Sequence, residues 1–134
     1  MKKMNPVVHF EMPAKDRNRV ADFYTKVFGW QAKFFGPDMG NYVTVATTET
    51  DDQGMIKTPG AINGGFYTLT DDGQQANSPS VVIAVENIGE ASKRITERGG
   101  KLLGEPMDIP GVGKWQSFED TEGNRVSILQ PLRA

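Results

Sequence analysis

The chain has 134 residues, 37% of them hydrophobic and 24% charged, with a formal charge of −2 and no cysteine. That length suits one domain with a real hydrophobic core, and the charge offers no basic footprint for nucleic acid or an anionic membrane surface. Without cysteine there are no disulfides, thiol nucleophiles or zinc–thiolate sites.

Residues Val7 to Met12 alternate, placing Val8, Phe10 and Met12 on one face of a strand and Val7, His9 and Glu11 on the other. Pro13, lacking an N–H, is expected to end the strand. Asp16 is placed to cap a helix, and Val20, Phe23, Tyr24, Val27 and Phe28 follow at the spacing of an amphipathic helix stopped by Gly29. The helix should cover the Val8/Phe10/Met12 face and leave His9, the only histidine, and Glu11 facing the other way.

Trp30 to Phe35 reads as a strand, Gly36 to Gly40 as a hairpin connection, and Asn41 to Thr48, rich in β-branched residues, as the returning strand. Glu49 to Pro59 is a polar excursion. Gly60 to Thr70 is a fourth strand, in which Gly64-Gly65 marks a bulge or a close backbone approach. Asp71 to Pro79 has linker composition. The order then repeats: strand Ser80 to Val85, a helix opened by an Asn87/Glu90 capping pair and buried through Ile88, Ala91 and Ile95, then strands at Lys101 to Met107, Trp115 to Glu119 and Arg125 to Gln130. The expected fold is therefore α+β, one domain of two βαβββ modules (about 5–70 and 80–131, linker 71–79), with equivalent helices about 70 residues apart.

His9-Phe10-Glu11-Met12-Pro13, Phe23-Tyr24 to Phe28-Gly29-Trp30, Glu97-Arg98-Gly99-Gly100-Lys101, Ile109-Pro110-Gly111-Val112-Gly113 and Asp120-Thr121-Glu122-Gly123-Asn124 together make the chain resemble the vicinal oxygen chelate superfamily. That superfamily groups glyoxalase I, bleomycin-resistance proteins, fosfomycin-resistance enzymes and extradiol dioxygenases. The likeness is greatest to its small single-domain glyoxalase-like members. It implies a U-shaped mixed sheet with helices on the outer face, a ligand site on the concave face, and a homodimer. It also implies a metal held by side chains from the first and last strand of each module. His9 stands at the first such position, but Val82 stands at its counterpart, Ser127 where the family often has glutamate, and Asn63 is the only plausible donor near the fourth.

The sequence therefore leads to a small-molecule-binding protein with no metal and no other cofactor, its ligand met by His9, Glu11, Trp30, Tyr42, Asn63, Trp115 and Ser127. His9 is the only good metal candidate, and His9 and Glu11 are the candidates for proton handling. A divalent-metal-dependent lyase, isomerase or dioxygenase is the alternative, and a non-catalytic dimeric interaction module a third. The glycines of Ile109 to Gly113 lack a following helix and so are no phosphate loop. Asp51-Asp52 and Asp71-Asp72 read as solvated loop carboxylates, and there is no GxSxG elbow. With no run of about 18 apolar residues and no signal-peptide pattern in MKKMNPVVHFEMP, the expected setting is cytoplasmic.

Overall fold

The computed structural model describes residues 4–68 and 78–132, so most of the 71–79 linker, with Asp71-Asp72, lies outside the described residues. The element order is β1 (Val7–Ala14), α1 (Arg17–Phe28), β2 (Gln31–Phe34), β3 (Val43–Ala46), β4 (Asn63–Thr68), β5 (Ser80–Ala84), α2 (Ile88–Glu97), β6 (Lys101–Ile109), β7 (Gly113–Glu119) and β8 (Arg125–Pro131). A short 3₁₀ turn, Pro37–Met39, sits in the β2–β3 connection. This is the α+β pattern βαβββ, twice. By contacts the chain divides into residues 9–79 and residues 1–8 with 80–134.

In the first unit the strands lie in the order β2-β3-β4-β1, with β1 parallel to β4. The β1–β4 register runs unbroken from His9↔Asn63 to Ala14↔Thr68, so β1 continues past Pro13, where a missing N–H near a strand end costs little. Asp16 caps α1, its side chain accepting from the Arg19 N–H, and Gly29 ends it in the left-handed conformation (φ 76°). Ala14, Ala21, Val43, Val45 and Phe66 form the core, with Phe10, Met12, Val20, Tyr24, Trp30 and Ala32 packed against it. The helix thus covers the Phe10/Met12 face.

The buried stripe of α1 is narrower than its spacing predicts. Phe23, Val27 and Phe28 are 53%, 56% and 61% exposed, while Ala21 is buried. A small residue at 21 turns the Val20–Ala21–Tyr24 side toward the sheet, which leaves Phe23 and Val27 on the flank. Phe23 meets the Tyr24 ring edge-on, at a ring separation of 5.0 Å.

In the second unit the order is β5-β8-β7-β6, with β5 parallel to β8 and the other pairs antiparallel. Asn87 caps α2 by accepting from the Glu90 N–H at 2.9 Å, and the Gln130 side chain accepts from the Ile88 N–H at 2.9 Å. Val85, Ile88, Phe118 and Ile128 form the core, backed by Ala91 and Ile95. The Pro6 carbonyl belongs to this unit, accepting from the Ala84 N–H at 2.9 Å. Strand β6 runs on to Ile109 past a register shift between Leu103 and Met107, where Gly104 takes φ 77°. The connection expected over Ile109 to Gly113 is thereby shortened to a tight turn, in which the Val112 N–H meets the Ile109 carbonyl at 3.0 Å.

Candidate functional site

On the face of β1 opposite the helix, His9 and Glu11 are joined through Tyr42. The Tyr42 hydroxyl donates to Glu11 Oε2 at 3.0 Å, and His9 Nε2 lies 3.0 Å from the Tyr42 hydroxyl oxygen. A phenol has one proton. With it directed to Glu11, the His9–Tyr42 bond needs its proton from the imidazole, so the order is His9 Nε2–H to Tyr42 Oη, and Tyr42 Oη–H to Glu11. Nδ1 is then the acceptor nitrogen of the neutral ring. All three side chains are half-buried.

Two glycines and an arginine make this arrangement possible. Gly64 and Gly65 point to opposite faces of β4, and each lies under an aromatic ring. A Cβ on Gly64 would come within 2.6 Å of Phe10 ring atoms on the helix side, and a Cβ on Gly65 would collide with the Tyr42 ring and hydroxyl. The close approach expected at Gly64-Gly65 is therefore present, and the bulge is not. Arg17 on α1 donates to the Phe35 carbonyl at 2.6 Å and to the Asn41 carbonyl at 3.1 Å, with its guanidinium 5.2 Å from the Phe34 ring centroid. Asn41 itself takes φ 57°, and the Tyr42 carbonyl accepts from the Phe35 N–H at 2.9 Å. The helix thus anchors the loop that delivers Tyr42.

Burial holds His9 below its ordinary value near 6.5, because the charged ring loses its hydration. Burial also drives the Tyr42 phenol far above its ordinary value near 10, reinforced by the charge of Glu11 and the hydrogen bond to it. At neutral pH the site therefore holds a neutral imidazole and a neutral phenol.

The other sequence candidates lie elsewhere. Asn63 is the β4 partner of His9, but its Oδ1 accepts from the Thr47 N–H at 2.8 Å. Trp30 is on the helix side, stacked on Tyr24 at 4.6 Å and against Phe10 at 5.7 Å. It packs, partly buried, against the core, a correction to its expected place among ligand contacts: the chain re-enters the sheet directly after Gly29, and the ring joins the aromatic cluster under α1. In the second unit Ser127 is buried, its hydroxyl 3.1 Å from that of Ser117, which also accepts from Arg125 at 3.3 Å. Trp115 sits on β7 opposite Leu129, its buried Nε1 with no hydrogen-bond partner among the described residues. Asp51 is a turn residue, accepting from the Gln53 and Met55 N–H groups. Sequence reasoning missed the anchoring role of Arg17 and the bridging role of Tyr42. An open groove of about 360 Å³ beside the start of α1, lined by residues including Asp16, Arg19 and Phe23, contains none of the His9 set.

The family model for the Glyoxalase/Bleomycin resistance protein/Dioxygenase superfamily matches residues 7–128, nearly the whole chain. The chain belongs to this superfamily. Among its relatives, a glyoxylase-like domain-containing protein of Didymella fabae is 31% identical over 121 residues, 88% of each chain. The anthracycline biosynthesis protein DnrV of Streptomyces peucetius is 29% identical over 124 residues, and this chain spans 44% of its length. A methylmalonyl-CoA epimerase structure shares the fold with TM-score 0.68 at 16% identity, over 99% of this chain and all of that one.

In this glyoxalase-superfamily domain the positions where the resemblance puts metal ligands carry a poor donor set. His9 Nε2 is committed to Tyr42, Asn63 Oδ1 to the Thr47 N–H, and the Ser127 hydroxyl to Ser117, while Val82 has no donor atom. Among the described residues no group of three or more His, Asp or Glu side chains could hold a metal ion. Catalytic zinc sites draw on about three protein ligands. These residues do not fit such an ion.

Proposed function

We propose that this protein binds a small molecule through the His9–Tyr42–Glu11 set, and that binding needs no divalent metal. The observation that carries the reading is the Tyr42 hydroxyl, 3.0 Å from both His9 Nε2 and Glu11 Oε2, which ties the site's polar groups to one another. A few convergent polar groups on an otherwise apolar surface suffice to orient a ligand. The names of the relatives, glyoxylase-like and anthracycline biosynthesis, support small organic molecules as the ligand class. The test is a thermal-shift screen of metabolites and antibiotics on EDTA-treated protein, repeated on His9→Ala. A compound that raises the midpoint saturably in the wild type and not in the variant supports the reading, since a native-state ligand stabilises by mass action. Hits that act equally on His9→Ala contradict it.

A proton-transfer reaction at the same groups is the second reading, favoured by the coupling of an imidazole to a carboxylate through one hydroxyl. Solvent-deuterium exchange into a bound ligand would separate it from simple binding.

A further inference from the structure

We infer that Tyr42 is a positioning residue that holds His9 as its Nε2–H tautomer, so that the ligand group met by His9 is a hydrogen-bond donor such as a hydroxyl or amide N–H, and not a carboxylate or phosphate oxygen. The inference rests on the proposed binding site and adds the polarity of its recognition. Its basis is a count of protons. Tyr42 donates its single proton to Glu11 Oε2, leaving its oxygen only as an acceptor toward His9 Nε2. An imidazole that donates from Nε2 in its neutral form has its lone pair on Nδ1.

Two parts of the fold hold the phenol in place, and a third holds the strand neighbour of His9. Gly65 gives the Tyr42 ring its place, since a Cβ there would collide with the ring and its hydroxyl. Arg17 holds the preceding Asn41 carbonyl, and the ladder bond from the Phe35 N–H holds the carbonyl of Tyr42 itself. Asn63, the cross-strand neighbour of His9, is fixed by Thr47 with its carbonyl oxygen turned to the Thr47 N–H. The polarity of the His9 ring is thus set from within the first module.

The chain has one histidine, so ring nitrogen resonances from untagged, ¹⁵N-labelled protein are assigned without ambiguity. At pH above 7.5 the wild type should show a protonated Nε2 with a slowly exchanging hydrogen and an unprotonated Nδ1. In Tyr42→Phe, which keeps the ring but not the hydroxyl, the Nε2 hydrogen should be lost to solvent exchange and the two nitrogens should move toward tautomer averaging. A dispersed amide spectrum shows that the variant is folded. Gly65→Ala should reproduce the effect without touching His9, Tyr42 or Glu11 chemically. An Nδ1–H tautomer in the wild type, or an unchanged Nε2–H signal in folded Tyr42→Phe, overturns the positioning role.

Benzamide and benzoate, matched in shape, then probe the ligand class. A saturable Nδ1 shift with benzamide alone supports recognition of a donor. A response to benzoate alone, to both alike, or to neither overturns that assignment. The tautomer result stands or falls independently of whether any metabolite binds, so failure here is distinguishable from failure of the binding reading.

Discussion

The Tyr42 ring occupies the space above the Cα of Gly65 that a side chain at position 65 would fill. Gly65→Ala should therefore push the phenol off the sheet and separate it from both His9 and Glu11. Overpacking of this kind costs about 1–3 kcal/mol. Urea unfolding of the variant should show a lower midpoint at unchanged slope, together with loss of the Tyr42–His9 bond.

Tyr42→Phe removes the hydroxyl without adding volume. Glu11 Oε2 and His9 Nε2 each lose a partner in a half-buried setting. Leaving buried polar groups short of a hydrogen bond costs about 1–3 kcal/mol. Chemical denaturation should report that loss, and any ligand dependent on His9 should bind more weakly.

His9 gives the site a pH dependence of defined sign. Its folded pKa lies below the ordinary value because burial disfavours the charged ring. On lowering the pH the unfolded chain takes up the proton first, so the contribution is fully present above about 6.5 and is lost as pH falls through the folded value. A histidine NMR titration should give a midpoint below the ordinary value. The stability loss across that window should be smaller in His9→Gln.

Arg17 anchors the loop carrying Tyr42 through two carbonyls and the Phe34 ring. A lysine has neither the planar fork nor the stacking surface. Arg17→Lys should loosen the 35–42 segment, with faster amide hydrogen exchange at Phe35 and Tyr42 than in the wild type and less change in α2. Equal exchange in both proteins would contradict the anchoring role.

The two βαβββ patterns were legible because each strand, cap and glycine stop leaves a local mark. Asp16, Gly29 and Asn87 act where propensity and spacing place them. The alternation of β1 also separated the Phe10/Met12 side from the His9/Glu11 side. What escaped the sequence is non-local. Tyr42 meets His9 and Glu11 across 33 and 31 residues, by a ladder whose register no local pattern encodes. The doubled glycine signalled a close approach without saying that one ring lies on each side. Trp30 and the outer flank of α1 were misjudged for the opposite reason: hydrophobic spacing marks a stripe, and only the packed sheet decides its width.

In the proposed function the His9 set acts through its own hydrogen bonds and not through a divalent ion. The most direct measurement is a thermal-shift series with Mg²⁺, Mn²⁺, Fe²⁺, Co²⁺, Ni²⁺ and Zn²⁺ on wild type and His9→Ala, with metal analysis of the purified protein. A site filled at 100 times its dissociation constant would add about 2.7 kcal/mol to stability. A metal-independent site should show no stoichiometric metal and no saturable shift that depends on His9. A saturable rise in midpoint for any of these ions, lost in His9→Ala, would contradict it.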